Sequence, residues 1–222
     1  MEENLMEDKP TLLKAVEIIL ADPKEIQKEV YILNKQYNDK YNGKKTPDEI
    51  KSLITKHLIS NYSYITAFSG AATSLTSVIP GLGQLIAMCG GACADAALCM
   101  KYQIELTMAI ATVYGHDITN EEEKRLCFII AGLGAAAGAL KDGGKKLGTS
   151  AFIKMVQQHL KGATLVAVKE IFKKVGVTFT RKALEKAAPF GIGVIIGATA
   201  NKTLTWYVGG KAQDFFKEIE VA

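Results

Sequence analysis

The chain has 222 residues, of which 48% are apolar and 23% charged, and a net charge of +4. That is long enough for one domain with a sizeable core and ordinary in composition for a globular protein. A mean hydropathy of +0.11 is too low for a bundle of several membrane spans, though high for a soluble domain. The charge is uneven: residues 1–22 carry a balance of −4 and residues 141–186 a balance of +8. Such asymmetry suits an anionic partner or attraction between the two regions.

The opening MEENLMEDKP is acidic and lacks the basic start and apolar core of a secretory signal. Leu12, Leu13, Val16, Ile19 and Leu20 then predict a short amphipathic helix. Asp22 followed by Pro23 reads as an N-cap and a first-turn proline. The next helix carries Ile26, Val30, Leu33 and Tyr37 on one face, and 38–45 is a polar loop. Thr46, Pro47 and Glu49 form a capping-box start. The stripe that follows holds Ile50, Leu53, Ile54, His57, Leu58 and Asn61.

From His57 to Met100 only Asp95 is formally charged. Ser69-Gly70 and Ile79–Gly83 punctuate this stretch, so it contains separate helical pieces. A long helix is expected from about Gly83 to Tyr114, ending on Gly115 as a left-handed cap. Thr119 to Glu122 predicts a second capping box and a helix running to Leu140. Beyond the lysine-rich loop 141–148, helices are expected near 150–161 and 163–175. The second has Leu165, Val168, Phe172 and Val175 on its apolar stripe, with Lys169, Lys173 and Lys174 away from it. A further helix is expected over Arg181–Lys186, and a last element from Pro189 is apolar to Ala200 and amphipathic to Ile219. Nothing alternates with period two for long. The fold class is all-α: a single-domain bundle of eight or nine helices with Gly/Ala-rich central helices, in which amphipathic helices of 1–45 precede a helical domain of 46–222.

Leu126–Leu140 and Ala187–Asn201 are uncharged but only 15 residues long, short of the roughly 20 needed to cross a bilayer. Val78–Met100 is longer but holds Pro80 and Asp95. The expected solution is a set of buried central helices wrapped by amphipathic ones. The pairs Gly134/Gly138 and Gly193/Gly197 let helices approach closely and could pack on each other; in lipid such pairs make dimers, which places a homo-oligomer among the expected partners.

Few residues point to chemistry. Asp95, among alanines, needs a partner or a raised pKa if buried. His116 beside Asp117 has the composition of an acid–base pair, but no nucleophile accompanies it. Asp142–Lys146 lacks the first glycine and the final Ser/Thr of a phosphate loop. Cys89, Cys93, Cys99 and Cys127 lie in apolar helical stretches without nearby histidines, so they read as reduced core residues of a cytoplasmic protein rather than zinc ligands. No catalytic residue, metal site or cofactor is expected. Few aromatics interleave with the lysines of 141–186, which argues against nucleic acid.

Ser69-Gly70-Ala71-Ala72-Thr73, Pro80-Gly81, Asp95, Tyr114-Gly115-His116-Asp117, and then Pro189, Gly193, Gly197, Asn201 and Ala212 resemble the EcsC family of bacterial helical proteins over roughly residues 50–216. Pro80, Asp95, Gln103 and Tyr114 are more distantly similar to the helical region accompanying bacterial dynamin-like or immunity-related GTPases. Ser74 to Ser77 replaces the Gly-Pro-rich turn common in the EcsC family, and no GTPase domain is present. The resemblance implies a non-catalytic protein, related to transport or secretion, at or near the cytoplasmic face of the inner membrane.

The leading expectation is therefore association with an anionic membrane surface or a membrane protein. Helices around 11–37 and 150–186 would present the contact. Lys145, Lys146, Lys169, Lys173, Lys174, Arg181 and Lys182 would supply the charge attraction. The first rival is a lipid- or small-molecule-binding enzyme with a pocket at Asp95 touching His116 or Asn201, and the second is a pore-forming bundle.

Overall fold

The computed structural model describes residues 11–67, 79–139, 147–185 and 192–221, without the side chains of 89, 92, 179–198, 220 and 221. Nine helices and no strand occur among the described residues. They are α1 (Thr11–Ile19), α2 (Pro23–Tyr41), α3 (Pro47–Ala67), α4 (Leu82–Cys89), α5 (Gly91–Val113), α6 (Glu121–Ala139), α7 (Thr149–Leu160), α8 (Thr164–Glu185) and α9 (Ile192–Val221). The expected all-α bundle is what the chain adopts.

Local chemistry sets several boundaries. The Asp22 carboxylate accepts from Lys24 N at 2.9 Å, and Pro23 opens α2. Thr46 and Glu49 exchange the two bonds of a capping box at 2.9 and 3.3 Å. Gly115, at φ 88°, ends the polypeptide turn after α5. At α6 the cap is Asn120, whose side chain accepts from Glu122 N. Thr119 instead donates to Asp117, because Asp117 sits two residues back and can form the tighter turn.

Two boundaries differ from the sequence expectation. The long helix expected from Gly83 to Tyr114 breaks at Gly90, where φ 78° and ψ 167° are accessible to glycine and interrupt the α-helical ladder. Conversely, 164–185 is one helix through Gly176, which packs on Leu12 of α1 and so needs no break.

α5 is the axis of the molecule. It packs against every other described helix except α7, which explains why it is apolar nearly all round. Ile104, Leu106, Met108 and Ile110 on it are fully buried. α3 runs antiparallel to α5, with Lys51 over Tyr114 and Tyr62 beside Tyr102. α9 runs parallel to α5 and antiparallel to α3: Thr205 meets Gln103 and Thr66, while a Cβ at Gly209 would meet Ile59 and Leu106. α6 lies antiparallel to α9, with Gly134 against Val208 and Gly138 against Leu204 and Tyr207. The first small-residue pair thus packs on α9, further along that helix than Gly193 and Gly197. α8 follows α6 in parallel, from Thr164 at Glu122 to Ile171 at Gly132.

These directions sort charge along the bundle. The last turns of α3 and α6 lie at the level of Leu204–Tyr207 of α9 and Gln103 of α5, and α5 and α9 reach further in that direction toward their own first turns. Over 57–67, 91–100, 126–139 and 192–201 Asp95 is the single formal charge. The other end carries the ion pairs Lys45–Glu49, His116–Glu123, Lys124–Glu121 and Arg125–Glu122.

Candidate functional site: an uncharged helix end above a buried polar girdle

Between the two ends lies a layer of buried polar groups that the sequence reading did not single out. Lys101 Nζ contacts both Glu105 oxygens, at 2.7 and 2.8 Å, with side-chain exposures of 10% and 4%. Ala21 N donates to Glu105 Oε1 at 2.8 Å, which ties the α1–α2 joint to the central helix. Lys101 Nζ also sits 4.4 Å from the centre of the Tyr102 ring. Burial pushes the Glu105 carboxyl above its ordinary range against the pull of Lys101. Burial, helped by the Glu105 charge, pushes the Tyr62 hydroxyl far up. The spacing of Lys101 and Glu105 was visible as an i,i+4 pair. Such a pair ordinarily lies on a solvated face, and only the α1–α2 cover takes it out of water.

Around α9 the layer continues. Thr66 Oγ1 donates to Thr205 Oγ1 at 3.0 Å, and the buried Gln103 amide reaches Cys99 Sγ at 3.3 Å and Thr205 at 3.5 Å. Gln103 Oε1 and Ser63 Oγ find no hydrogen-bond partner among the described residues.

The sequence-predicted residues fall into separate places. Asp95, half-buried and engaged in an interaction, lies near the start of α5 at the uncharged end. Asn201, also half-buried and engaged, lies toward the same end of α9. His116 sits at the opposite end, past the end of α5 and about 27 Å of helix away, so it does not join Asp95. Its Nδ1 lies 2.8 Å from Glu123 Oε2 and its ring lies tilted against Phe216, with the ring centres 4.9 Å apart. Adjacent Asp117 faces elsewhere: bonds from Thr119 and from Gln27 hold its carboxyl below the usual range. An acid–base pair at 116–117 is therefore not formed.

Lys173 and Lys174 are exposed on α8, and Lys169 is half-buried and engaged. Lys145 and Lys146 lie outside the described residues, as do the side chains of Arg181 and Lys182. The apolar faces expected to offer contact are used internally. Leu12, Leu13, Val16 and Ile19 of α1 and Val168, Phe172 and Val175 of α8 are all core residues.

Cys99 and Cys127 are free and buried, and burial pushes the Cys127 thiol far up. Cys93, by contrast, is disulfide-bonded. The break at Gly90 places it in the first turn of a new helix instead of mid-helix, so the expectation of four reduced core cysteines does not hold for Cys93. No cluster of three His, Cys, Asp or Glu side chains that could hold a metal occurs among the described residues, and no described helix is long and apolar enough to cross a membrane.

Among the described residues, Tyr64 (55%), Ile65 (43%), Met88 (62%) and Trp206 (46%) are large apolar side chains left exposed toward the uncharged end, and Ile18 on α1, Tyr31 (72%) and Ile32 on α2, and Val166 and Val177 (67%) on α8 are exposed as well. Compared with known proteins, the chain matches no family, no curated protein and no solved structure.

Proposed function

We propose that this is a non-catalytic helical protein that associates with a membrane surface through the uncharged end of its bundle. The carrying observation is the distribution of charge: 57–67 of α3, 126–139 of α6 and 192–201 of α9 hold no formal charge and 91–100 of α5 holds Asp95 alone, and these stretches run toward one side of the bundle while the ion pairs Lys45–Glu49, His116–Glu123, Lys124–Glu121 and Arg125–Glu122 lie on the other. A water-facing protein gains nothing from such a division, whereas an interface between lipid and water rewards it. The EcsC-like residues support the same reading and give it its finest form, a role beside a transport or secretion assembly.

Co-sedimentation with vesicles tests it. The protein is expected to pellet with vesicles of phosphatidylglycerol and phosphatidylcholine, and to pellet less as salt rises, since exposed charges are screened within about 8 Å at physiological ionic strength. Protein that stays in the supernatant with both anionic and purely zwitterionic vesicles overturns the proposal. Reversing Lys169, Lys173 and Lys174 measures how much of the attraction comes from α8.

A further inference from the structure

On the outer surface α3 and α9 lie side by side, held in register by the Thr66–Thr205 hydrogen bond. One residue past Thr205 is Trp206, and two residues before Thr66 is Tyr64, both about half exposed. Lys202, one turn from Trp206, places its Nζ 3.8 Å from the centre of the Tyr64 ring. Tyrosine, tryptophan and lysine each pair an apolar body with a polar tip, the composition that collects where lipid meets water. The register of α8 on α6 carries its last turns, with Arg181 and Lys182 in sequence, toward the same level.

We propose that Tyr64, Lys202 and Trp206 form an interfacial girdle that sits at the headgroup level of an anionic bilayer. This rests on the membrane-surface reading above and adds the contacting residues and the headgroup charge. Lys202 selects a negatively charged surface. A twofold contact between two copies through this patch would instead bring both Lys202 ammonium groups into one apolar interface.

Trp206 is the sole tryptophan of the chain, so its fluorescence reports this position alone. With phosphatidylglycerol/phosphatidylcholine vesicles its emission should shift to the blue, and phosphatidylcholine brominated near the headgroup should quench it more than lipid brominated near the chain end. Lys202→Glu should weaken partitioning about tenfold or more while leaving the far-ultraviolet circular dichroism and the denaturation midpoint close to wild type. Protein that sediments with vesicles while Trp206 neither shifts nor is quenched overturns the girdle and leaves the membrane-surface reading standing. Failure to sediment overturns both. A lipid-free dimer by light scattering that Lys202→Glu abolishes assigns the patch to a second copy and also overturns the girdle.

Discussion

The two ends of this bundle solve the same packing problem with different means. At the charged end, helices start on capping side chains and carry ion pairs such as Arg125–Glu122 at 2.9 Å, with side-chain exposures of 32% and 67%. Pairs this exposed contribute about 0–1 kcal/mol each, so they set solubility more than stability. At the other end glycines let helices touch: Gly138 lies against Leu204 and Tyr207, and toward the middle Gly209 lies against Ile59 and Leu106. Close backbone approach replaces charge as the source of cohesion there. The contrast teaches that small residues and close backbone contact hold the helices where charge is sparse, while exposed ion pairs dress the end where charge is plentiful.

The sharpest way to break this arrangement is at the layer between the ends. Lys101→Met leaves the Glu105 carboxylate buried without its cation and should cost about 3–5 kcal/mol in urea denaturation. Adding Glu105→Leu should recover most of that loss and leave the smaller penalty, about 1–3 kcal/mol, of an Ala21 N–H without its acceptor. A double variant no more stable than Lys101→Met would show that the pair does not act as a unit. A smaller effect separates two neighbours on α9. A Cβ at Gly209 would stand 2.7 Å from Ile59 Cγ1 and 2.9 Å from Leu106 Cδ2, whereas one at Gly210 meets nothing within 4 Å. Gly209→Ala should destabilise by about 1–3 kcal/mol through overpacking. Gly210→Ala should stabilise by up to ~1 kcal/mol through helix propensity. Equal effects from the two would remove close packing as the cohesive principle of this region.

Much of the fold was legible from residues. The Asp22 cap, the Thr46–Glu49 capping box and the Gly115 stop are local, and local rules found them. The break at Gly90 and the continuity through Gly176 were missed because a glycine inside an apolar run is silent about its neighbours; Leu12 packing on Gly176 is a tertiary fact. Lys101 and Glu105 were overlooked in favour of Asp95, since an i,i+4 ion pair looks solvated until another helix covers it. The uncharged end was half visible. Charge is absent from 57–67 of α3, 126–139 of α6 and 192–201 of α9, and Asp95 is the single charge over 91–100 of α5. The antiparallel pairing of α3 and α6 with α5 and α9 turns these stretches toward one side of the bundle. His116 and Asp117 failed as a pair because neighbouring residues after a helix stop point different ways.

The subtlest expected effect concerns acid, and it runs in opposite directions at the two levels of the molecule. Glu105 holds its proton more tightly in the fold than at the ordinary value of 4.5 that it regains on unfolding. Between that value and its raised one the folded state binds more protons, so the Glu105 contribution grows as pH falls through the window and declines as pH rises. Asp117 and Glu49 behave oppositely. Hydrogen bonds hold their folded pKa values below 3.8 and 4.5, so what they add is present above those values and lost as pH falls through the lowered ones. Denaturation midpoints followed from pH 8 to pH 4.5 should therefore fall less steeply in the wild type than in Glu105→Gln, in which no carboxyl at that position takes up a proton. Parallel profiles for the two proteins would mean that the girdle carboxylate titrates as if it were in water, and that the α1–α2 joint does not cover it in solution.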